Sequence, residues 1–373
     1  MKMIVFTILI VVTIAAAILF GIGWYYSEML KREAFVTNIE PPEYNLLVKS
    51  ANSTSIELIS KDDNSEELFE EGHYKIEWAD GFGFTKSILQ SNENQILRDY
   101  SGKDFPLIGE PVRLETFFYS GNPNNALNIE YEEVPLNCEL GICPAWKVEG
   151  DRENWVIVVH GKGSNREESL RILETLKKAD TSILVITYRN DPETNPSENG
   201  YYGFGQEWPD LEIAVEYALQ QGAKKIILYG FSMGGAISLG FLQESTHSSH
   251  VVGLILDAPV ISFNSLVNHG IAERNVPKFI GEIGKWVATQ RFKIPWDKMD
   301  YFKTATELEI PVLIFHGTKD KLTPVKESEK IAQKNDKNVT LVTTNGVGHA
   351  KMWNYNPKFY EEKVFKFLSQ LIN

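Results

Sequence analysis

The sequence predicts an α/β fold in which helices cover both faces of a mostly parallel sheet. From residue 154 onward, continuous apolar runs alternate with amphipathic patterns, and strands that read as unbroken hydrophobic runs are buried on both faces. A serine crowded by glycines, in "YGFSMGG" at 229–235, sits where an apolar run gives way to a small-residue helical pattern. The 373 residues are 43% hydrophobic and 23% charged, enough for a sizeable core with something extra attached.

The elements follow in chain order. Residues 3–26 carry no charged side chain, and a helix of that length crosses a hydrocarbon core of about 30 Å. Ala15 and Ala17 form the A-x-A pattern of a cleavable signal, but cutting there would leave "ILFGIGWYY" as the new terminus. Residues 1–27 are therefore expected to be a retained transmembrane anchor, a single pass into the membrane. Trp24, Tyr25 and Tyr26 suit an interfacial aromatic belt. Lys2 and the amine on one side balance Lys31 and Arg32 on the other, and the soluble part is expected on the extracytoplasmic side. Residues 28–107 alternate short apolar pieces ("YNLLV", "TSIELIS", "HYKIEWA") with polar breaks, a small β-rich accessory or spacer region. Its acidic run "DDNSEELFEEG" and His73 read as a solvated face.

The main domain is expected over 108–373. "VRLETFFY", "NIEYEEVPL" and "CPAWKVE" read as consecutive strands. Then "NWVIVVHG", "SILVITY", "KKIILYG", "VVGLILDAP", "IPVLIFHG" and "VTLVTT" read as buried strands. Between and after them, "EESLRILETLKKA", "EWPDLEIAVEYALQQG", "GAISLGFLQES", "KESEKIAQKN" and "NPKFYEEKVFKFLSQL" read as helices. An insertion at residues 261–310 interrupts this rhythm, with a lid expected at about 261–305. Its Phe279, Trp286 and Trp296 either line an acyl pocket or form the lid's own core, the commoner arrangement. Cys138 and Cys143 offer neither a disulfide framework nor a four-ligand zinc site. Pairing in an oxidising compartment stays open, but the reading preferred for two short-range cysteines is free, small apolar residues.

The chemistry gathers on Gly230-Phe231-Ser232-Met233-Gly234, which fits G-x-S-x-G at a strand-to-helix turn. A nucleophile on a sharp bend needs small neighbours, and the helix behind it aims amides at a developing oxyanion. A serine hydroxyl also needs a base and an orienting acid. His349 in "NGVGHAKMW" is the candidate base and Asp320 in "FHGTKDKLTP" its candidate partner. Asp257 in "LILDAP" is the rival acid, read as a strand-end turn residue. His160 and His316 are expected to serve turns, while His247, His250 and His269 lie in polar or lid-like segments. The oxyanion donors are expected to be the amides of Met233 and of Lys162 in "HGKGSN", the Lys162 side chain being solvated. Nothing here calls for a metal or organic cofactor. A net charge of −13 argues against a nucleic-acid partner.

With "HGKGSN", "YGFSMGG", "HGTKD" and "GVGH" in this order, the chain resembles the α/β-hydrolase superfamily over roughly its C-terminal two-thirds. It is most similar to bacterial membrane-anchored forms of the serine aminopeptidase-like and monoacylglycerol-lipase-like branch. The resemblance implies a serine hydrolase with Ser232, Asp320 and His349 as triad, acting on a small-molecule ester or acyl substrate through an acyl-enzyme, with a lid where the insertion lies. A peptidase of the same fold is the alternative, and a catalytically silent membrane-tethered binding protein a second. A third reading makes residues 28–107 a docking module.

Overall fold

The computed structural model describes residues 2–37, 43–61 and 66–372. Residues 62–65 of the acidic run, and the terminal amine, lie outside the described residues. The chain opens with one long helix, α1 (Lys2–Leu30), followed by a π-helical turn at Lys31–Phe35. α1 is long and apolar enough to cross a membrane.

Seven short strands follow: β1 (Leu46–Ala51), β2 (Ser55–Ser60), β3 (Tyr74–Trp78), β4 (Gly81–Thr85), β5 (Ile88–Ser91), β6 (Gln95–Asp99) and β7 (Pro111–Glu115). They form one sheet in the order β4-β3-β7-β1-β2-β6-β5, every neighbour antiparallel. Alternate residues, among them Val48, Ile56, Leu58, Ile76 and Val112, point into a core of this sheet's own. The segment "VRLETFFY", assigned from sequence to the main domain, instead begins with β7, which pairs with β1 and β3. The boundary therefore falls after Glu115, because strand pairing, which local pattern does not reveal, decides where a strand belongs. His73 is not on a solvated face. Its ring packs against Phe118 and Trp353, and burial pushes its pKa down.

The larger sheet is built from β8 (Glu132–Cys138), β9 (Gly141–Val148), β10 (Asp151–Val159), β11 (Thr181–Ile186), β12 (Lys225–Phe231), β13 (Val251–Asp257), β14 (Val312–Gly317) and β15 (Val339–Thr344). Their order is β15-β14-β13-β12-β10-β11-β9-β8. β10 to β15 run parallel, and β8 and β9 form an antiparallel edge. The helices are α2 (Pro123–Leu127), α3 (Leu170–Lys178), α4 (Trp208–Gln221), α5 (Met233–Glu244), α6 (Phe263–Glu273), α7 (Lys278–Phe292), α8 (Phe302–Glu307), α9 (Val325–Lys334), α10 (Met352–Tyr355) and α11 (Pro357–Ile372).

β10 shows why the strands read as continuous apolar runs. Trp155, Ile157 and Val159 face one core with Leu211 and Ala236 of α4 and α5. Val156 and Val158 face the other, with Leu173 of α3 and Leu368 of α11. Each such fully buried side chain contributes about 1.5–3 kcal/mol. From β10 the chain passes to β11 on one side, then returns to β12 on the other. That reversal opens a crevice at the carboxyl ends of β10 and β12.

Cys138 and Cys143 correct the free-thiol reading: they are bonded to each other, with Cα atoms 6.0 Å apart. The β8–β9 hairpin sets Leu136 opposite Cys143 and Cys138 opposite Gly141, so the turn itself brings both sulfurs within bridging reach.

Candidate active site

Ser232 ends β12 at φ 48° and ψ −111°, a backbone conformation that an L residue adopts only under local constraint. Two glycines allow it. A Cβ on Gly230 would lie 2.5 Å from the Gly234 carbonyl oxygen, and one on Gly234 would lie 2.1 Å from that of Val159. The bend is held by the Ser232 amide, which donates to the Asp257 carbonyl at 2.8 Å, and by the Gly235 amide, which donates to the Ser232 carbonyl at 3.0 Å. Gly234→Ala is therefore expected to cost about 1–3 kcal/mol or more through overpacking against backbone that cannot retreat. A drop in the urea midpoint at unchanged slope is the check.

Three loops at the carboxyl ends of strands bring the remaining groups together. His349, in the loop after β15, places Nε2 2.9 Å from Ser232 Oγ and Nδ1 2.7 Å from Asp320 Oδ2. Asp320, in the loop after β14, is buried and held from several sides. Its Oδ1 accepts from the amides of Leu322 and Thr323, both at 2.8 Å, and its Oδ2 from the Thr323 hydroxyl at 2.7 Å. Burial alone would raise the Asp320 pKa, but attraction to His349 and hydrogen bonds from His316 and His349 hold it well below the usual carboxylate range. Burial likewise works against the charged form of His349, and the Asp320 carboxylate outweighs it, so the imidazole is pushed up.

Met233 opens α5 directly after Ser232, and Lys162 lies in the loop after β10; both line the same cleft as Ser232 and His349. The Lys162 side chain is not solvated as expected. Its Nζ donates to the Glu33 carbonyl at 2.8 Å and sits 5.8 Å from the centre of the Tyr202 ring. Burial lowers its pKa, with Glu33 pulling the other way. The loop is held from behind by two residues the sequence reading passed over. Glu168 Oε2 accepts from the Gly161 amide at 2.8 Å, and its other oxygen pairs with Arg171 at 3.1 Å. Arg171 in turn donates to the Ala350 carbonyl at 2.9 Å, beside His349. In sequence, Glu168 and Arg171 look like an exposed i,i+3 pair on an amphipathic segment. Only their burial, which needs the tertiary packing, marks them as a strut between the two loops.

The other candidates fall into place around this centre. His160 is buried, with Nε2 2.9 Å from Asp191 Oδ2. His316 does more than serve a turn: it lies under the acid, Nδ1 2.8 Å from Ser328 Oγ and Nε2 3.3 Å from Asp320 Oδ2. His247 pairs near the surface with Glu216 at 3.4 Å. Asp257 is no turn residue. It is fully buried, and its Oδ2 accepts from the Tyr360 hydroxyl at 2.8 Å, while Oδ1 has no hydrogen-bond partner among the described residues. Burial pushes its carboxyl up, Arg171 opposing.

In the expected lid, α6 and α7 lie beside the cleft and contribute Leu266, Val267, Ile271 and Gly284 to its lining. Trp296 belongs to the lid's own packing: it stacks on Phe263 with ring centres 5.3 Å apart and donates to Thr289 Oγ1 at 2.7 Å. Phe279 and Trp286 fit neither reading offered from sequence, since both are exposed.

The accessory sheet grips the second unit beside the same loops. The His73 amide donates to the Asn354 carbonyl at 2.7 Å, Asn354 Nδ2 donates to the carbonyls of His73 and Thr116 at 2.7 and 2.8 Å, and Lys351 pairs with Glu70 at 2.7 Å.

Comparison with known proteins finds likeness over the part of the chain that holds the larger sheet. A profile of the family "Serine aminopeptidase, S33" matches residues 150–295. A "Putative esterase/lipase 2" of Mycoplasma pneumoniae is 22% identical over 261 residues, covering 61% of this chain and 93% of that protein. Among solved structures, an esterase of Pyrococcus furiosus superposes with a TM-score of 0.55 at 22% identity, over 68% of this chain and 97% of that one. A membrane phospholipase A superposes with a TM-score of 0.50 at 17% identity, over 65% and 87%.

Proposed function

The chain belongs to the α/β-hydrolase superfamily, and from that premise we propose that it is a membrane-anchored serine hydrolase cleaving carboxylic esters. One observation carries the reading: the Asp320–His349–Ser232 relay, with the serine raised on a strained turn at the floor of a cleft. In this reading Ser232 Oγ attacks the substrate carbonyl while His349 Nε2 takes its proton. Asp320 holds the imidazolium through Nδ1, and the amides of Met233 and Lys162 bind the oxyanion. The proton passes from His349 to the departing alkoxide. Water, activated by the same imidazole, then releases the acid and restores the serine. An ester is favoured over an amide because an alkoxide leaves more readily than an amine.

The anchor is part of the proposal. α1 supplies a membrane-spanning length, and its last turns pack on the soluble domain, with Gly23 against Val287 and Tyr26 against Gly284. The Cys138–Cys143 bond supports an oxidising, extracytoplasmic side.

The test is stoichiometric labelling of the full chain by a fluorophosphonate, followed by a screen of esters against aminoacyl and peptidyl amides. A folded chain that stays unlabelled sinks the reading. Preferential turnover of amides moves it to the peptidase alternative. The pH profile supplies a further check. The base must be neutral to accept the proton, and the His349 pKa is raised above 6.5. The acid limb of kcat/KM is therefore expected above pH 6.5, with activity lost as pH falls through it.

A further inference from the structure

The cleft above Ser232 holds about 1670 Å³, more than the roughly 300–1,000 Å³ of a site for a small ligand, and its walls differ. One wall, shared by the anchor and the lid, is mainly apolar, with Tyr26, Met29 and Leu30 of α1 and Leu266, Val267 and Ile271 of α6 rimmed by Glu33, Arg274 and Lys285. The other belongs to the accessory sheet and the loops it grips, and carries the charges of Glu70, Glu71, Glu115 and Lys351 beside the apolar Phe69, Leu114 and Phe117. The serine sits in the lining shared by both.

The anchor also fixes where the apolar wall lies. α1 and α7 touch along a seam that two glycines permit. A Cβ on Gly23 would fall 2.7 Å from Val287 Cγ2, and one on Gly284 would fall 2.9 Å from Tyr26 Cβ. Arg291 of α7 pins the seam, its guanidinium 3.6 Å from the Trp24 ring centre and bonded to Ser27 and Glu28. On the outside of this pair, Trp24 (46% exposed), Tyr25 (60%), Phe279 (63%) and Trp286 (60%) present aromatic rings to the surroundings. Such rings settle at the headgroup level of a bilayer. At 1.5 Å per residue, Met29 and Leu30 lie only about 5 Å beyond Tyr26 along the helix. With Trp24 and Tyr25 at headgroup depth, the apolar wall would stand at the membrane surface, where the exposed Phe279 and Trp286 would rest the lid.

We infer that the substrate is an ester of a bilayer lipid, drawn directly from the membrane. Its acyl chain lodges between the last turns of α1 and the lid, and its polar head turns toward the accessory sheet. The chain then points toward the membrane and the head away from it, as in the bilayer, so the lipid need not invert to reach Ser232. The inference rests on the serine-hydrolase reading and adds that the anchor is a wall of the substrate site rather than a tether alone.

The experiment uses the full chain in phosphatidylcholine–phosphatidylglycerol vesicles. The probe is a hexadecyl fluorophosphonate with a diazirine at the far end of its chain, beside an ethyl fluorophosphonate as reference. After bonding to Ser232 and irradiation, mass spectrometry locates the cross-link. The expected result is bonding of both probes, with cross-links in residues 23–34 and 263–292. Cross-links confined to the accessory sheet, to the interior of the larger unit, or to vesicle lipid overturn the inference. Bonding of the ethyl probe alone also overturns it while leaving the hydrolase reading intact. Failure of both probes removes the hydrolase reading, and this inference with it.

Discussion

Ser232→Ala is expected to abolish labelling by a fluorophosphonate and to lower kcat for an ester by on the order of 10⁶, the loss seen when a serine-hydrolase nucleophile is removed. A residual rate of about 10³–10⁴ over water would survive, because the amides of Met233 and Lys162 proposed to bind the oxyanion, and the cleft itself, stay in place. The fold is expected to tolerate the change, since the bend is held by backbone contacts, Ser232 N to Asp257 O and Gly235 N to Ser232 O, that alanine keeps. A companion substitution separates strain from chemistry. At φ 48° and ψ −111° a Cβ is unfavourable, so Ser232→Gly is expected to unfold at a higher temperature than Ser232→Ala by an amount corresponding to about 1–2 kcal/mol. Ester turnover, probe labelling and thermal unfolding of the two variants are the measurements. Full labelling of Ser232→Ala would show that another residue is the nucleophile.

Most of the larger sheet was legible in the sequence because its signals are local. Strands buried on both faces must be continuous apolar runs, and β10 to β15 are. The glycines around Ser232 were legible for a related reason: close backbone approach excludes every larger residue, so Gly230 and Gly234 advertise the bend. Ser232, Asp320 and His349 could be named from their order and their places after strands, and the structure brings all three within hydrogen-bonding distance. What escaped depends on contacts between distant segments. Glu168 and Arg171 read as surface charges and are buried. Lys162 was expected in water and is tied to Glu33, 129 residues earlier. β7 was placed in the wrong unit because its partners, β1 and β3, are remote in sequence. The disulfide depended on hairpin register, which two cysteine positions do not reveal. The seam between α1 and α7 rests on Gly23 and Gly284, and a glycine in a helix looks in sequence like a minor flaw rather than a contact surface.

Asp320→Asn is expected to lower kcat by about 10⁴, because an amide facing His349 Nδ1 favours the wrong tautomer of the imidazole. The same change removes the charge that holds the His349 pKa up, so the acid limb of the residual activity should move to lower pH. Both effects need Asp320 to be the acid, and Asp257 is the control that makes the assignment refutable. Asp257 is buried and lies at the end of the neighbouring strand, yet its carboxylate accepts from the Tyr360 hydroxyl, not from His349. Asp257→Asn keeps an acceptor for the Tyr360 hydroxyl and removes a carboxylate that burial already disfavours in its charged form. It is expected to keep kcat within about tenfold and to lower the acid limb less than Asp320→Asn does, since Asp257 raises the His349 pKa less than Asp320 does. Measured side by side across pH, the two variants should part by about three orders of magnitude. The reverse ranking, with Asp257→Asn inactive and Asp320→Asn active with an unmoved limb, would transfer the role of the acid to Asp257 and make the Asp320 contact a structural one.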